Sequence, residues 1–296
     1  MSGAKRATTP PTATSSAVSR RFFPRAIALD RALEALPLFR LSDSTDERSV
    51  LFVPEGGGRW RVLPSPGDRL PGTFDQDVYV ELCRRFCETG MPNDGAVTFT
   101  LHAFLRSIGR RADGRTYEQM RAALNRLERT SLESIGAYWN AASGTKLNAR
   151  FTLLSAVTID RRRSVDRDQL PLFAAFTASE PGDARVVLSP QLRANMTAGH
   201  VTLLSASHYL ALSSPVARRL YRLLEVARAD DVVTWRVPLE RLAELVPLAQ
   251  RYPSHLQRVL QPAHEMLLSA GILRDVTVQQ IRRQWHVDYV LGLRLP

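Results

Sequence analysis

The chain has 296 residues, more than the roughly 100 to 200 of one ordinary domain, so two modest domains are expected. Hydrophobic residues at 44% and charged ones at 23% exclude global disorder. The net charge of +11 makes a positive field that draws polyanions, nucleic acid first among them. A membrane surface would feel the same field, but the sequence has neither an apolar span nor an amphipathic anchor edged by Lys and Arg. Its first residues, rich in Thr, Pro, Ala and Ser, do not form a secretory signal, and a cytoplasmic location is expected.

In chain order, residues 1–34 read as a flexible basic tail, in which Arg20, Arg21 and Arg25 around Phe22 and Phe23 are equally an arm on DNA or solvated charge. Folded structure is expected from Ala35. Residues 50–53 and 60–63, split by Gly56, Gly57 and Gly58, predict a β-hairpin; no Lys-Ser or Lys-Thr follows, so the glycines are not a phosphate loop. Asp75 precedes a helical pattern with Val78, Leu82, Cys83 and Phe86 on one face. A short strand at 97–98 leads to a helix carrying Leu101, Phe104, Leu105 and Ile108, then the turn 110–114.

Thr116 can cap a third helix with Tyr117, Met120, Leu124 and Leu127 inward, leaving Glu118, Gln119, Arg121, Ala122, Asn125 and Arg126 outward. Period-two alternation through Ile135, Ala137 and Trp139, then Phe151, Leu153, Ser155, Val157 and Ile159, predicts a hairpin tipped by Ser143, Gly144, Thr145 and Lys146. Helix, helix, turn, helix and hairpin is the order of a winged helix, placing a first domain at 35–160. Residues 161–184, rich in Arg, Asp, Gln and Pro, read as a linker in which a strand could hide.

The order recurs over 185–296. Ser189 or Pro190 opens a short helix, and Pro215 begins a long one with Val216, Leu220, Leu223, Leu224 and Ala227 inward and Arg218, Arg219, Arg222 and Arg228 largely off that stripe. A strand at 232–237 and a helix with Leu239, Leu242 and Val246 follow. Tyr252-Pro253-Ser254 opens a helix burying Leu256, Leu260, Ala263 and Leu267, with Pro262 expected to bend it. Residues 272–281 and 285–295, joined by Arg282-Arg283-Gln284, form a second wing. The expected fold is α+β, two tandem winged-helix domains.

On that fold the first outward helix offers Arg115, Thr116, Gln119, Arg121, Asn125 and Arg126 to DNA, and the second offers His255, Gln257, Arg258 and Gln261. Arg121, Gln119 or Arg258 could read guanine or adenine edges, while Lys146, Arg282 and Arg283 at hairpin tips could touch phosphates. Cys83 and Cys87 share one helix face as packing residues, and the six histidines are scattered, so no metal or other cofactor is expected.

Leu36-Pro37-Leu38-Phe39, Thr73-Phe74-Asp75-Gln76-Asp77-Val78, residues 117–130 with Leu124, Arg126 and Leu127, and Arg218-Arg219-Leu220-Tyr221 together resemble the plasmid replication initiator protein A family over roughly residues 35–245. Arg258-Val259-Leu260-Gln261-Pro262-Ala263 also resembles the recognition helix of iteron-binding initiators. The resemblance implies tandem winged helices on double-stranded DNA at origin repeats, recruitment of a host initiator and helicase, dimers that repress their own synthesis, and a place on the bacterial nucleoid or a plasmid. The Arg-rich stretch 161–168 departs from the family.

A transcriptional repressor would use the same fold, and a structural nucleoid protein the same charge, although the latter leaves two differently composed outward helices without a role. Enzymes fit less well. A nicking initiator needs two histidines one residue apart beside a tyrosine, which the sequence lacks, and Gly144-Thr145-Lys146 has the wrong order for an ATPase loop, so a non-enzymatic protein is expected.

Overall fold

In a computed structural model the described residues are 26–41, 49–159, 183–228, 232–250 and 252–293. The chain opens with strand β1 (Ala26–Asp30) and a single helical turn, α1 (Arg31–Glu34), capped by the Asp30 carboxylate. These residues are not tail, as the sequence suggested. Ile27, Ala28 and Leu29 are buried, and their short apolar run is paired along its length with β9 (Val201–Ser205), a partner about 175 residues away that local reading cannot supply. The arm residues Arg20, Arg21, Phe22, Phe23 and Arg25 lie outside the described residues, as does the stretch 161–168.

The strands β2 (Val50–Phe52) and β3 (Arg59–Leu63) form the expected hairpin. After them come α2 (Thr73–Glu88), β4 (Ala96–Thr100), α3 (Leu101–Ser107) and α4 (Gly114–Arg129). The cap of α4 is Asp113, which accepts from the Thr116 N–H and hydroxyl, each at 2.9 Å; Thr116 is therefore inside the helix rather than its cap. The buried apolar stripe of α4 is Met120, Ala123, Leu124 and Leu127, which adds Ala123 to the sequence pattern and leaves Tyr117 half-buried.

The hairpin expected after α4 is present as β5 (Ser131–Asn140) and β6 (Thr145–Phe151), but it joins β2 and β3 in a separate sheet ordered β2-β3-β5-β6. The strands that close the sheet on β4 are β7 (Leu154–Ile159) and β8 (Asp183–Leu188), ordered β4-β8-β7. Pairing therefore does not end at residue 160, nor does a second unit begin at 185. The chain returns as β8 to the middle of the first sheet, where Ala184, Val186 and Leu188 alternate inward.

A joining segment follows, made of α5 (Pro190–Thr197), β9 and α6 (Ala206–Ala211). Then α7 (Pro215–Arg228), β10 (Thr234–Pro238), α8 (Leu239–Leu245), α9 (Pro253–Ser269), β11 (Leu273–Ile281) and β12 (Gln284–Leu291) repeat the first order. Their sheet is β10-β12-β11, again with the last strand in the middle. Helix α9 runs unbroken through Pro262, which is exposed, so the N–H it lacks would have served a carbonyl on the solvent side. On its inner face His264 Nε2 lies 2.9 Å from the Tyr289 hydroxyl of β12.

The two repeats are joined through arginines of α7. Arg219 and Arg222, expected off the apolar stripe, are 2% and 0% exposed. Helix α7 is covered on a second side by the first unit, so polar residues beside its apolar stripe are also enclosed. Arg219 donates to the Glu34 carboxylate at 3.2 Å, to the Glu34 and Leu36 carbonyls at 3.0 and 2.9 Å, and to the Leu245 carbonyl at 3.1 Å. Arg222 donates to the Gln76 side chain at 2.9 Å, and its Nε stands 3.3 Å from Glu34 as an ion pair outside hydrogen-bond alignment. Arg218 reaches Asp77 of α2 at 2.6 Å, and Arg241 of α8 donates to the Val53 carbonyl at 2.8 Å.

Glu34→Gln removes the one carboxylate shared by the two enclosed guanidinium groups, and a loss of about 3 to 5 kcal/mol of stability is expected in urea unfolding of the whole chain. A loss below about 1 kcal/mol would mean that solvent reaches the cluster.

Burial pushes His264 down to about 4. With the folded value below that of an unfolded histidine, the contribution is complete above about pH 6.5 and is lost as pH falls through the folded value. Between pH 7 and 4, the protein is expected to lose roughly 1 to 3 kcal/mol more stability than His264→Gln, measured by denaturant unfolding at each pH.

Candidate nucleic-acid interface

The third helix of each repeat is held by one apolar stripe and turns a polar side to solvent. On α4, Arg115, Gln119 and Asn125 are exposed, and Arg129, which the sequence pattern had not singled out, joins them. Thr116 is half-buried with its hydroxyl committed to Asp113, and Arg121 is half-exposed with a 2.5 Å ion pair to Glu118 one turn back. These two are tied to their own helix.

Arg126 belongs elsewhere. It is buried and forks onto Asp75, with Nη2 at 2.8 Å and Nε at 3.2 Å, while the other side of the same carboxylate accepts the Gly72 N–H at 2.6 Å to cap α2. On a helical wheel Arg126 sits beside Ala123, and the missing acid lies 51 residues away. It therefore positions α4 against α2 and is not available to a ligand.

Helix α9 exposes His255, Arg258 and Gln261, with Gln257 half-buried among them. Gln261 donates to Glu265 at 2.9 Å, and the ring of exposed Tyr252 meets His255 edge-on at 5.8 Å. Tyr252 was noted in the sequence only as part of the helix start; its exposure follows from its place at the cap, outside the apolar stripe.

At the tip of the β11–β12 hairpin, Arg282 and Arg283 are exposed and adopt φ of 48° and 70°. Two successive left-handed residues make the tight turn whose twist suits a hairpin, a conformation normally left to Asn-Gly, and arginine there costs on the order of 1 kcal/mol each. Strain of this kind persists where the side chains have another use. Lys146 has a different setting from the one expected. It lies on β6 in the inserted sheet, opposite Trp139, with its ammonium 3.3 Å from the Gly56 carbonyl, so it is not at the tip of a hairpin in the repeated fold.

Exposed arginines also gather where α3 turns into α4, at Arg106, Arg110 and Arg111. Arg110 stands over the Phe74 ring at 5.8 Å and 3.6 Å from Asp77, the residue that also holds Arg218. The sequence marked this stretch only as a turn. Its doubled arginine was the available signal. Among the described residues no group of His, Cys, Asp and Glu could hold a metal ion, and no helix is long and apolar enough to cross a membrane.

These elements define an α+β protein with two repeats of helix, strand, two helices and hairpin, each presenting a helix with exposed hydrogen-bond donors. The replication initiator protein A family model matches residues 29–246, and the chain belongs to that family. It is accordingly a DNA-binding replication initiator of the plasmid type. A search of curated protein sequences found no match. Among solved structures, a selenomethionine form of domains 2 and 3 of RctB is similar, with 13% identity, a TM-score of 0.59, and coverage of 90% of this chain and 100% of that one. A second RctB structure of domains 2–3 gives 11%, 0.51, 88% and 96%. The Pi initiator protein in complex with iteron DNA gives 10%, 0.45, 75% and 94%. At such identities the first two likenesses concern the fold alone.

Replacing Arg282 by Asn and Arg283 by Gly relieves both left-handed arginines. The variant is expected to be more stable than the parent by about 1 kcal/mol in urea unfolding, and no gain would mean that the turn relaxes in solution.

Proposed function

We propose that this protein initiates plasmid-type replication by gripping duplex DNA at repeated origin sites with two winged helices, and that it does so without catalysing a reaction. In each winged helix the third helix enters the major groove and the hairpin lies along the backbone. The observation that carries the reading is the pair of outward third helices, α4 and α9, with different donor sets: Arg115, Gln119, Asn125 and Arg129 on one, His255, Gln257, Arg258 and Gln261 on the other. Arginine can read guanine, and glutamine or asparagine adenine, by paired hydrogen bonds, so two unlike helices suit two unlike sequence elements.

The strained arginines Arg282 and Arg283 serve the phosphate backbone, and Arg106, Arg110 and Arg111 add charge at the entry to α4. Family membership supports action at an origin, with a host initiator and helicase as the factors recruited and a homodimer as a second form. The protein works in the cytoplasm, on the plasmid or the nucleoid.

Selection from random duplex DNA tests the proposal. Repeated motifs in helical phase are expected, whereas a single palindrome would make the protein a repressor, and no enriched motif a nucleoid protein. In the same assay Arg258→Ala should shift preference at one base by about 1 to 3 kcal/mol, while the Arg282→Asn, Arg283→Gly pair should weaken all duplexes alike and lower the salt slope by about 1 to 2. Equal losses on selected and random DNA for Arg258→Ala would remove it from base reading.

A further inference from the structure

The inserted sheet β2-β3-β5-β6 is absent from the second repeat and has no part in gripping DNA in the reading above. Its inner face carries Phe52, Trp60, Val62, Leu132 and Tyr138 into the core. Its outer face is unusual, because large apolar side chains that are exposed among the described residues concentrate there: Leu51 at 61%, Ile135 at 45% and Trp139 at 38% exposed, with Val53 just beyond β2 at 56%. A cluster of this kind on a soluble surface marks a contact site more often than chance scatter does.

Cross-strand partners share a face, so the register places these residues among cations. Leu51, Arg61, Glu133 and Arg150 form one row, Arg59, Ile135 and Asn148 the next, and Trp139 and Lys146 a third. Glu133 is shared by Arg61, at 3.1 Å, and by Arg150. The arginines around it hold its carboxyl below the usual range, with Arg150 contributing most. One carboxylate among four cations leaves the face positive, and the outer edge of β6 pairs with no strand among the described residues.

We propose that this face docks a partner protein through a segment that presents aliphatic and acidic side chains together. The aliphatic groups would cover Leu51, Ile135 and Trp139, and the carboxylates would meet Arg59, Arg61, Lys146 and Arg150. A second copy of this chain is the poorer occupant, because a two-fold interface would bring these cations against their own counterparts. Single-stranded nucleic acid is also poorer. It stacks bases on successive aromatic rings, and three of the four apolar groups here are aliphatic.

The test uses the full chain and a fluorescein-labelled helical peptide of about 18 residues with Leu and Glu on one side, against the same peptide with Lys for Glu. Saturable binding of the Leu/Glu peptide alone is expected. It should weaken about tenfold or more in Ile135→Ser with Trp139→Ser, and likewise in Arg59→Glu with Lys146→Glu, while duplex DNA binding and circular dichroism stay as in the parent. The Arg282→Asn, Arg283→Gly pair should leave peptide binding unaltered, which separates this surface from the DNA grip. Absence of binding, or binding that neither surface pair alters, overturns the proposal. So does displacement of the peptide by oligothymidylate through the same residues, which would make the face a nucleic-acid site, or a parent dimer that Ile135→Ser with Trp139→Ser turns into monomer by sedimentation.

Discussion

Two guanidinium groups share one buried carboxylate between the halves of this protein, and most of the architecture follows from satisfying that arrangement. Arg219 and Arg222 bring positive charge into an interior with Glu34 as the facing acid. The cost of removing these ions from water is offset by acceptors at every side-chain nitrogen of Arg219, while Arg222 hydrogen-bonds through Nη2 alone and keeps Nε beside the Glu34 carboxylate as an ion pair. The acceptors include the Glu34 and Leu36 carbonyls, the Leu245 carbonyl and the Gln76 amide, and they come from α1, the segment after it, the end of α8 and α2. A cluster that draws on both repeats is satisfied in one relative placement of the two, which sets where α4 and α9 stand with respect to each other.

The same economy appears at smaller scale in Asp75 and Asp77. Asp75 caps α2 and holds Arg126 of α4, so the start of one helix and the placement of the next depend on a single side chain. Asp77, two residues further on, forms an ion pair with Arg218, accepts from the Tyr209 hydroxyl and lies within reach of Arg110 at the turn before α4. The cations of α7 thus serve structure, while those at the α3–α4 turn, on the outer faces of α4 and α9 and at the β11–β12 tip remain open to solvent. Among the described residues these cations therefore differ in use: the first group is committed to the fold, while the second is open to a polyanion.

Residues 131–151 show how an insertion can imitate the element it displaces. Their alternation is that of any half-buried hairpin, and they follow α4 where the repeat calls for one. Pairing decided otherwise: β5 found β3, and β4 found β8 beyond a long excursion. The second repeat has no insertion, so its hairpin is β11 and β12 directly, as the periodicity suggested.

Periodicity in the sequence was enough to locate α2, α3, α4, α7, α8 and α9 and the hairpins β2–β3 and β11–β12, because each depends on a local apolar stripe or alternation that the chain carries wherever it lies. It was also enough to set Gln119, Asn125, His255 and Arg258 on outward faces. Tertiary structure decided the rest. Arg126, Arg219 and Arg222 are buried because their acids or acceptors arrive from 51, 185 and 146 residues away, and a charged residue beside an apolar stripe looks solvated until its partner is known. Likewise β1, β8 and the place of Lys146 were settled by strand pairing, a long-range choice that alternation of side chains leaves open.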